Sequence, residues 1–336
     1  MQYRPLGRTG LVVSEIGFGC GNVGGLMVRG TPAEQLDCAL HAVELGINYF
    51  DTAPQYGDGR SETNLGPVLA RLPAGTIVAT KVTIGPDVLK DPEDLVRASV
   101  ERSLRRLGRD RIDVLQVHTP ITVRRDDPGR GWSIGVEDVL APRGIAEAIE
   151  AVRARGLVRF LGFTGLGDTE ALHAVVDSGR FDVVQAYYNL LNPSAGTGVP
   201  GGFKAQDFGR LIDRAARRGM GVVVIRVMAG GSLGGPVART GHASPSIGGA
   251  LSPGSGYKED ERRAGKLGFL VEGSALSLPQ AAVRFGLMHQ GVSTVLVGFS
   301  DRKQIREAAA CSGGMPIPDA NMKRLSDLWS TDFGAA

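Results

Sequence analysis

Eight short apolar segments rich in β-branched residues recur along this chain, and stretches with helical patterning separate them. That alternation limits the fold more than any other feature. The segments are Ile16–Phe18, Asn48–Asp51, Thr76–Lys81, Ile112–His118, Val158–Thr164, Phe181–Gln185, Val222–Arg226 and Val292–Val297. Strands alternating with helices in this way point to a parallel sheet covered by helices. The stretch 91–107 carries Leu95, Val96, Val100 and Leu104 at helical spacing. Another opens on Thr31, Pro32 and Glu34, a capping box with proline at the first helical position. Eight strand–helix units predict a closed (β/α)8 TIM barrel rather than an open doubly wound sheet, and 336 residues suit one such domain, 1–336. Residues 2–14 read as an N-terminal β-hairpin, 205–218 as the sixth covering helix, and about 318–329 as a C-terminal tail helix.

Several function classes drop out early. The glycines of 19–25 stand in the wrong register for a dinucleotide-binding fingerprint. A net charge of +3 with no Lys/Arg block gives no basis for nucleic-acid binding. No run approaches the roughly 18 apolar residues that span a bilayer. Three cysteines without CxxC spacing speak against a disulfide framework and a thiolate metal site. The start at Met1 lacks the apolar core of a signal peptide, so the expected location is cytoplasmic.

The polar residues that interrupt the strand pattern sit at the C-terminal ends: Asp51, Lys81, His118, Thr164, Gln185, Arg226 and Ser300. Barrel enzymes build their sites at that rim. Asp51, Tyr56 in the turn just beyond it, Lys81 and His118 form a set able to move a proton on or off a carbonyl oxygen. Tyr56 would exchange the proton, helped by the Lys81 ammonium, because a neighbouring cation favours phenolate. Asp51 would hold Lys81 in place and charged. His118 would donate to the substrate oxygen or relay a proton. Taken singly, these are also an ordinary ion pair, a surface turn residue and a core histidine. Their arrival on adjacent strand ends is what favours chemistry.

The segment 46–57, with Asp51, Thr52, Ala53, Tyr56 and Gly57, resembles the signature of the aldo-keto reductases. Thr80-Lys81, Gln116 to His118 and the opening around Leu6 to Leu11 match further landmarks, and the similarity runs to about Ala310. The resemblance implies a nicotinamide cofactor, NADP(H) in preference to NAD(H), bound without a Rossmann domain. It implies Tyr56 as general acid, tuned by Lys81 and Asp51, with His118 orienting the carbonyl. Thr164 and Gln185 would hold the carboxamide, and Ser300, Gln304 and Glu307 the adenosine phosphate. Ser300 opening a helix would offer free backbone N–H groups to an anion, and Arg302, Lys303 and Arg306 add charge suited to a 2′-phosphate. The chain departs from the family at Gly165, where asparagine is common, at Ile225, where a ring-stacking tyrosine is common, and at Ala308. Arg226, beside Ile225, would meet cofactor phosphate or an anionic, hydroxylated substrate.

Two loops frame this rim. The glycine-rich segment of about 229–257 is too long for an idle connection and is expected to act as a lid over the cofactor. The 119–143 loop, with Trp132, is expected to shape the substrate pocket. The favoured reading is an NAD(P)(H)-dependent oxidoreductase interconverting a carbonyl and an alcohol, on a small polar or sugar-like molecule. The alternatives are an NADP(H)-binding sensor subunit acting through a partner protein, and a Schiff-base lyase using Lys81.

Overall fold

The computed structural model describes residues 1–89, 92–126, 132–234, 241–244, 256–273 and 276–334. Eight strands close into a barrel in the order Ile16–Gly19, Tyr49–Asp51, Ile77–Val82, Ile112–Val117, Val158–Gly165, Val183–Tyr187, Gly221–Ile225 and Thr294–Gly298. Every neighbouring pair is parallel, including the closing pair of Thr294–Gly298 with Ile16–Gly19. This is the (β/α)8 barrel that the alternation predicts. Among the described residues no helix is long and apolar enough to cross a membrane.

The period of two along each strand divides the chain's apolar residues between two cores. One set, with Phe18, Phe50, Val78, Leu115 and Leu161, packs outward under the helices. The other set, with Tyr49, Ile77, Ala79, Val114, Val183, Val223 and Ile225, fills the barrel interior. The hairpin of Tyr3–Pro5 and Val12–Ser14 adds Leu6, Leu11 and Val13 to this interior set. Gly17 makes room in it, since a Cβ there would stand 3.1 Å from the Tyr49 ring and 3.2 Å from Leu296. The apolar filling thus occupies the lower layers, and the polar residues follow above it.

Three elements differ from the sequence reading. The sixth strand runs Val183–Tyr187, so Gln185 lies within it rather than at its end. The helix expected over 205–218 spans only Leu211–Arg217. Residues ahead of it are claimed by an upstream loop: Asn192 Nδ2 donates to Gln206 O at 2.9 Å, and Phe208 N–H donates to Ser194 Oγ at 2.9 Å. Gly209 and Arg210 then take left-handed φ values of 58° and 57°, which no helix accommodates. In the 119–143 loop, Ile121–Thr122 pairs with Ile134–Gly135 and a short helix follows at Val136–Leu140, while 127–131 lie outside the described residues. The tail helix forms over Asp319–Ser330.

Candidate active site

Strand register brings the polar layer together. Asp51 pairs with Ala79, so Lys81, two residues on, projects from the same face one layer higher, level with Gln116. Gln185 pairs with Thr164 on the adjacent strand. Lys81 and Asp51 are each 1% exposed, and the Lys81 ammonium donates to Asp51 Oδ1 and, at 2.7 Å, to Thr52 O. The other oxygen, Asp51 Oδ2, accepts from Gln185 Nε2 at 2.7 Å and from Gln116 Nε2 at 3.0 Å. A carboxylate with this many donors is held in one orientation, and it holds the lysine in turn.

Tyr56 reaches this layer from a tight turn. The turn is pinned by Tyr56 N–H to Ala53 O at 3.1 Å and Ser61 N–H to Tyr56 O at 3.1 Å. It needs glycine at 57, where φ is 62° and a Cβ would lie 2.6 Å from Val28. The Tyr56 ring centre stands 4.9 Å from the Lys81 ammonium. Burial works against charge on Lys81, but Asp51 foremost and Tyr56 outweigh it and raise its pKa above the ordinary lysine value. A Schiff-base nucleophile needs the neutral amine, so this pairing opposes the lyase reading.

His118 follows directly on the fourth barrel strand, its N–H donating to Val82 O at 2.9 Å. Its ring meets the Tyr56 ring edge-on at 5.9 Å, and its Nδ1 lies 3.0 Å from Gln55 Oε1. Burial first, then the charges of Lys81 and Arg226, push its pKa down to about 3. The unfolded chain takes up a proton here near pH 6.5, and the folded chain only near 3. Between those values the unfolded state binds more protons, so stability falls as pH drops through that window. The acid limb of a plot of urea midpoint against pH is therefore expected to be shallower for His118→Gln than for the wild type. Equal slopes would mean that His118 titrates normally.

The other expected site residues divide. Thr164 and Gln185 are both buried at the polar layer, Thr164 Oγ1 lying 3.4 Å from Gln185 Oε1. A side chain at Gly165 is sterically barred, because a Cβ there would stand 2.7 Å from Gln185 O. Ile225 belongs to the interior core. Arg226 takes a left-handed φ of 60°, with its carbonyl held by Asn189 Nδ2 at 2.9 Å. Among the described residues, the buried Arg226 Nη1 has no hydrogen-bond partner. Trp132 is half exposed and lies over Gly85, in the loop after the Lys81 strand.

The segment after the eighth strand is less open than expected. Asp301, not Ser300, caps the helix Arg302–Ala309, accepting from Gln304 N–H at 2.9 Å. The Ser300 N–H is not free: it donates to Gln304 Oε1 at 2.8 Å, and the hydroxyl donates to Gly24 O at 2.8 Å. A glutamine one turn on closes the donor that the sequence left open. Arg302 pairs with Asp37 at 2.6 Å and Lys303 with Glu307 at 3.6 Å, which leaves Arg306 without an ion pair among the described residues. Of the expected lid, 235–240 and 245–255 lie outside the described residues. Its piece 241–244 sits near Ser300: Ser244 N–H donates to Val23 O at 2.9 Å, and His242 Nε2 contacts Glu34 at 3.1 Å.

Sequence reasoning overlooked two residues of this site. Gln116 orients Asp51, and a polar side chain inside the otherwise apolar run 114–117 was its signal. Gln55 touches His118, and nothing in a turn sequence announces such a contact.

A closed parallel barrel with a phenol, a paired ammonium and an imidazole gathered at its C-terminal mouth has the build of a barrel oxidoreductase. The chain belongs to the aldo/keto reductase family, whose model matches residues 15–330. It is similar to the pyridoxal 4-dehydrogenase of Microbacterium luteolum, with 28% identity over 90% of this chain and 91% of that one. The L-galactose dehydrogenase of Arabidopsis thaliana is 28% identical, over 98% and 93% of the two chains. The D-threo-aldose 1-dehydrogenase of a Pseudomonas species is 30% identical, over 89% of each. The protein is accordingly an oxidoreductase of the family that works with nicotinamide cofactors. The orphaned Arg226 Nη1 fits such a group, since a phosphate oxygen would satisfy the buried donor.

Proposed function

We propose that this protein interconverts a small polar, sugar-like carbonyl compound (an aldehyde, ketone or aldose) and its alcohol, with Tyr56 as general acid and base. The observation that carries this reading is the contact of the Tyr56 side chain with an ammonium that Asp51 locks in place. Beside that ammonium, the Tyr56 oxygen gives its proton to a nascent alkoxide or takes one from an alcohol. Lys81 stays charged throughout because Asp51, itself tied by Gln116 and Gln185, remains its counter-ion. The buried, dry setting strengthens these interactions. A bound nicotinamide supplies or accepts the hydride.

Arg226 would hold cofactor phosphate, with Ser300, Gln304 and Glu307 at the adenosine end and Thr164 and Gln185 near the carboxamide. Arg306, the basic residue left unpaired on the helix after the eighth strand, supports NADP(H) over NAD(H). The names of the three relatives, two of them sugar dehydrogenases, support a hydroxylated substrate. Three buried, unpaired cysteines support a reducing, cytoplasmic location.

Titration of the intrinsic fluorescence with NADPH and NADH, followed by turnover with a panel of aldoses and aldehydes, tests this reading. NADPH is expected to bind more tightly, and Arg306→Ala to cut that preference by about tenfold. Absence of cofactor oxidation or reduction with every member of the panel would refute the enzymatic reading, and equal affinities would refute the NADP(H) preference.

A further inference from the structure

We propose that a cavity at the N-terminal face of the barrel, opposite the rim that carries Tyr56 and Lys81, binds a small phosphate monoester through Arg109 and Arg111. The chemistry at the rim does not enter this inference.

The cavity has a volume of about 550 Å³, which admits a small metabolite. Its walls come from the turns that lead into the second to fifth barrel strands, and the hairpin turn at Gly10 to Val12 closes one side. In a parallel barrel those turns lie at the end away from the catalytic loops. Three arginines line it, Arg109, Arg111 and Arg159, against two carboxylates, Asp110 and Asp113, which leaves one net positive charge.

Much of this polar lining is already committed to the fold. Arg159 Nη1 donates to Asp113 Oδ1 at 2.8 Å, and the Val78 N–H donates to Asp113 Oδ2 at 2.9 Å. Asn48 donates to Val12 O at 2.9 Å and accepts the Ser14 N–H at 2.8 Å. Neither Asp113 nor Asn48 is therefore free to serve Arg109 or Arg111. Other arginines of the same face do find partners: Arg8 and Arg153 pair with Asp182, Arg155 with Glu93 and Arg218 with Asp177. Arg109 and Arg111 form no ion pair among the described residues, and the exposed Asp110 between them in sequence pairs with neither.

Two permanent cations sharing one concave site select for an anion, since a neutral ligand would strip water from both without compensation. The guanidinium fork sets the kind of anion, because it offers two parallel N–H donors. A carboxylate has two oxygens, enough for one fork. The three terminal oxygens of a phosphate monoester serve both arginines, and its second charge outweighs the repulsion from Asp110. The remainder of the volume takes the ester's organic part. On the solvent side Gly10 and Gly75 are exposed, and a Cβ on either would meet nothing within 4 Å, so the approach is open.

Isothermal titration at constant ionic strength tests this, with saturating NADPH present to occupy phosphate-binding groups at the opposite rim. Glycerol 3-phosphate is expected to bind saturably at one site, acetate at least about tenfold more weakly, and glycerol not at all. The variant Arg109→Gln/Arg111→Gln should weaken glycerol 3-phosphate by at least about tenfold while keeping the wild-type urea midpoint. Asp110→Asn removes the opposing charge and should bind about threefold more tightly, the size of one solvent-screened interaction. A misfolded protein does not gain affinity, so Asp110→Asn decides the matter even if the double variant is unstable. No binding in the presence of NADPH overturns the proposal, because phosphate taken up only without the cofactor sits at the rim. Equal affinity for glycerol or acetate overturns it as well, as does wild-type affinity in the double variant or in Asp110→Asn.

Discussion

Turnover of the Tyr56→Phe variant is expected to fall by about 10²- to 10⁴-fold, the range supplied by a positioned proton donor, with cofactor affinity nearly unchanged. The substitution removes one oxygen and keeps the ring. The edge contact with His118 and the aromatic face near Lys81 therefore remain. The turn that carries residue 56 is held by backbone bonds the substitution does not touch. Stopped-flow measurement of cofactor oxidation, alongside a fluorescence titration of the cofactor, separates the two effects. Wild-type turnover in this variant would remove the phenol from the mechanism, and an equal loss of cofactor affinity would point to a disturbed fold.

The second large effect concerns the ion pair beneath it. In Lys81→Met the Asp51 carboxylate stays buried with only the two glutamine amides as donors. Breaking a buried pair from one side costs about 3–5 kcal/mol, because a charge is left without compensation. The urea midpoint is expected to fall accordingly, and turnover with it. The double variant Asp51→Asn/Lys81→Met carries no orphan charge and should recover most of the lost stability but none of the activity. If the double variant is as unstable as the single one, the loss lies in packing and not in electrostatics. The charge pair also has an alkaline limit. Lys81 has its pKa raised on folding, so its contribution to stability is present below about pH 10.5 and is lost as the pH climbs through the folded value.

The four residues expected from strand ends do meet, and the reason is geometric. In a parallel barrel each strand end opens on the same rim, so polar residues that stop apolar runs are bound to be neighbours. Asp51, Lys81 and His118 could be read from the chain for that reason, and Tyr56 because its turn starts where one of those strands stops. The reading failed where a partner comes from an unrelated part of the sequence. Ser300 is closed by Gln304 and by Gly24, 276 positions away. Residues 205–210 stay out of the helix because Asn192 and Ser194 claim their backbone. In each case local propensity was outweighed by a hydrogen bond whose other end cannot be foreseen from composition or periodicity.

By itself, then, the sequence determined the eightfold alternation, the closed barrel and the nearness of Asp51, Tyr56, Lys81 and His118 at its rim, because these depend on patterns within short windows. Only the tertiary structure decided which donor serves which acceptor: that two glutamines secure Asp51, that Arg226 keeps a buried donor in reserve, and that Gln55 reaches His118. Hydrogen bonds are directional and saturable, so their pairing follows from positions fixed to a fraction of an ångström, which only the assembled barrel supplies.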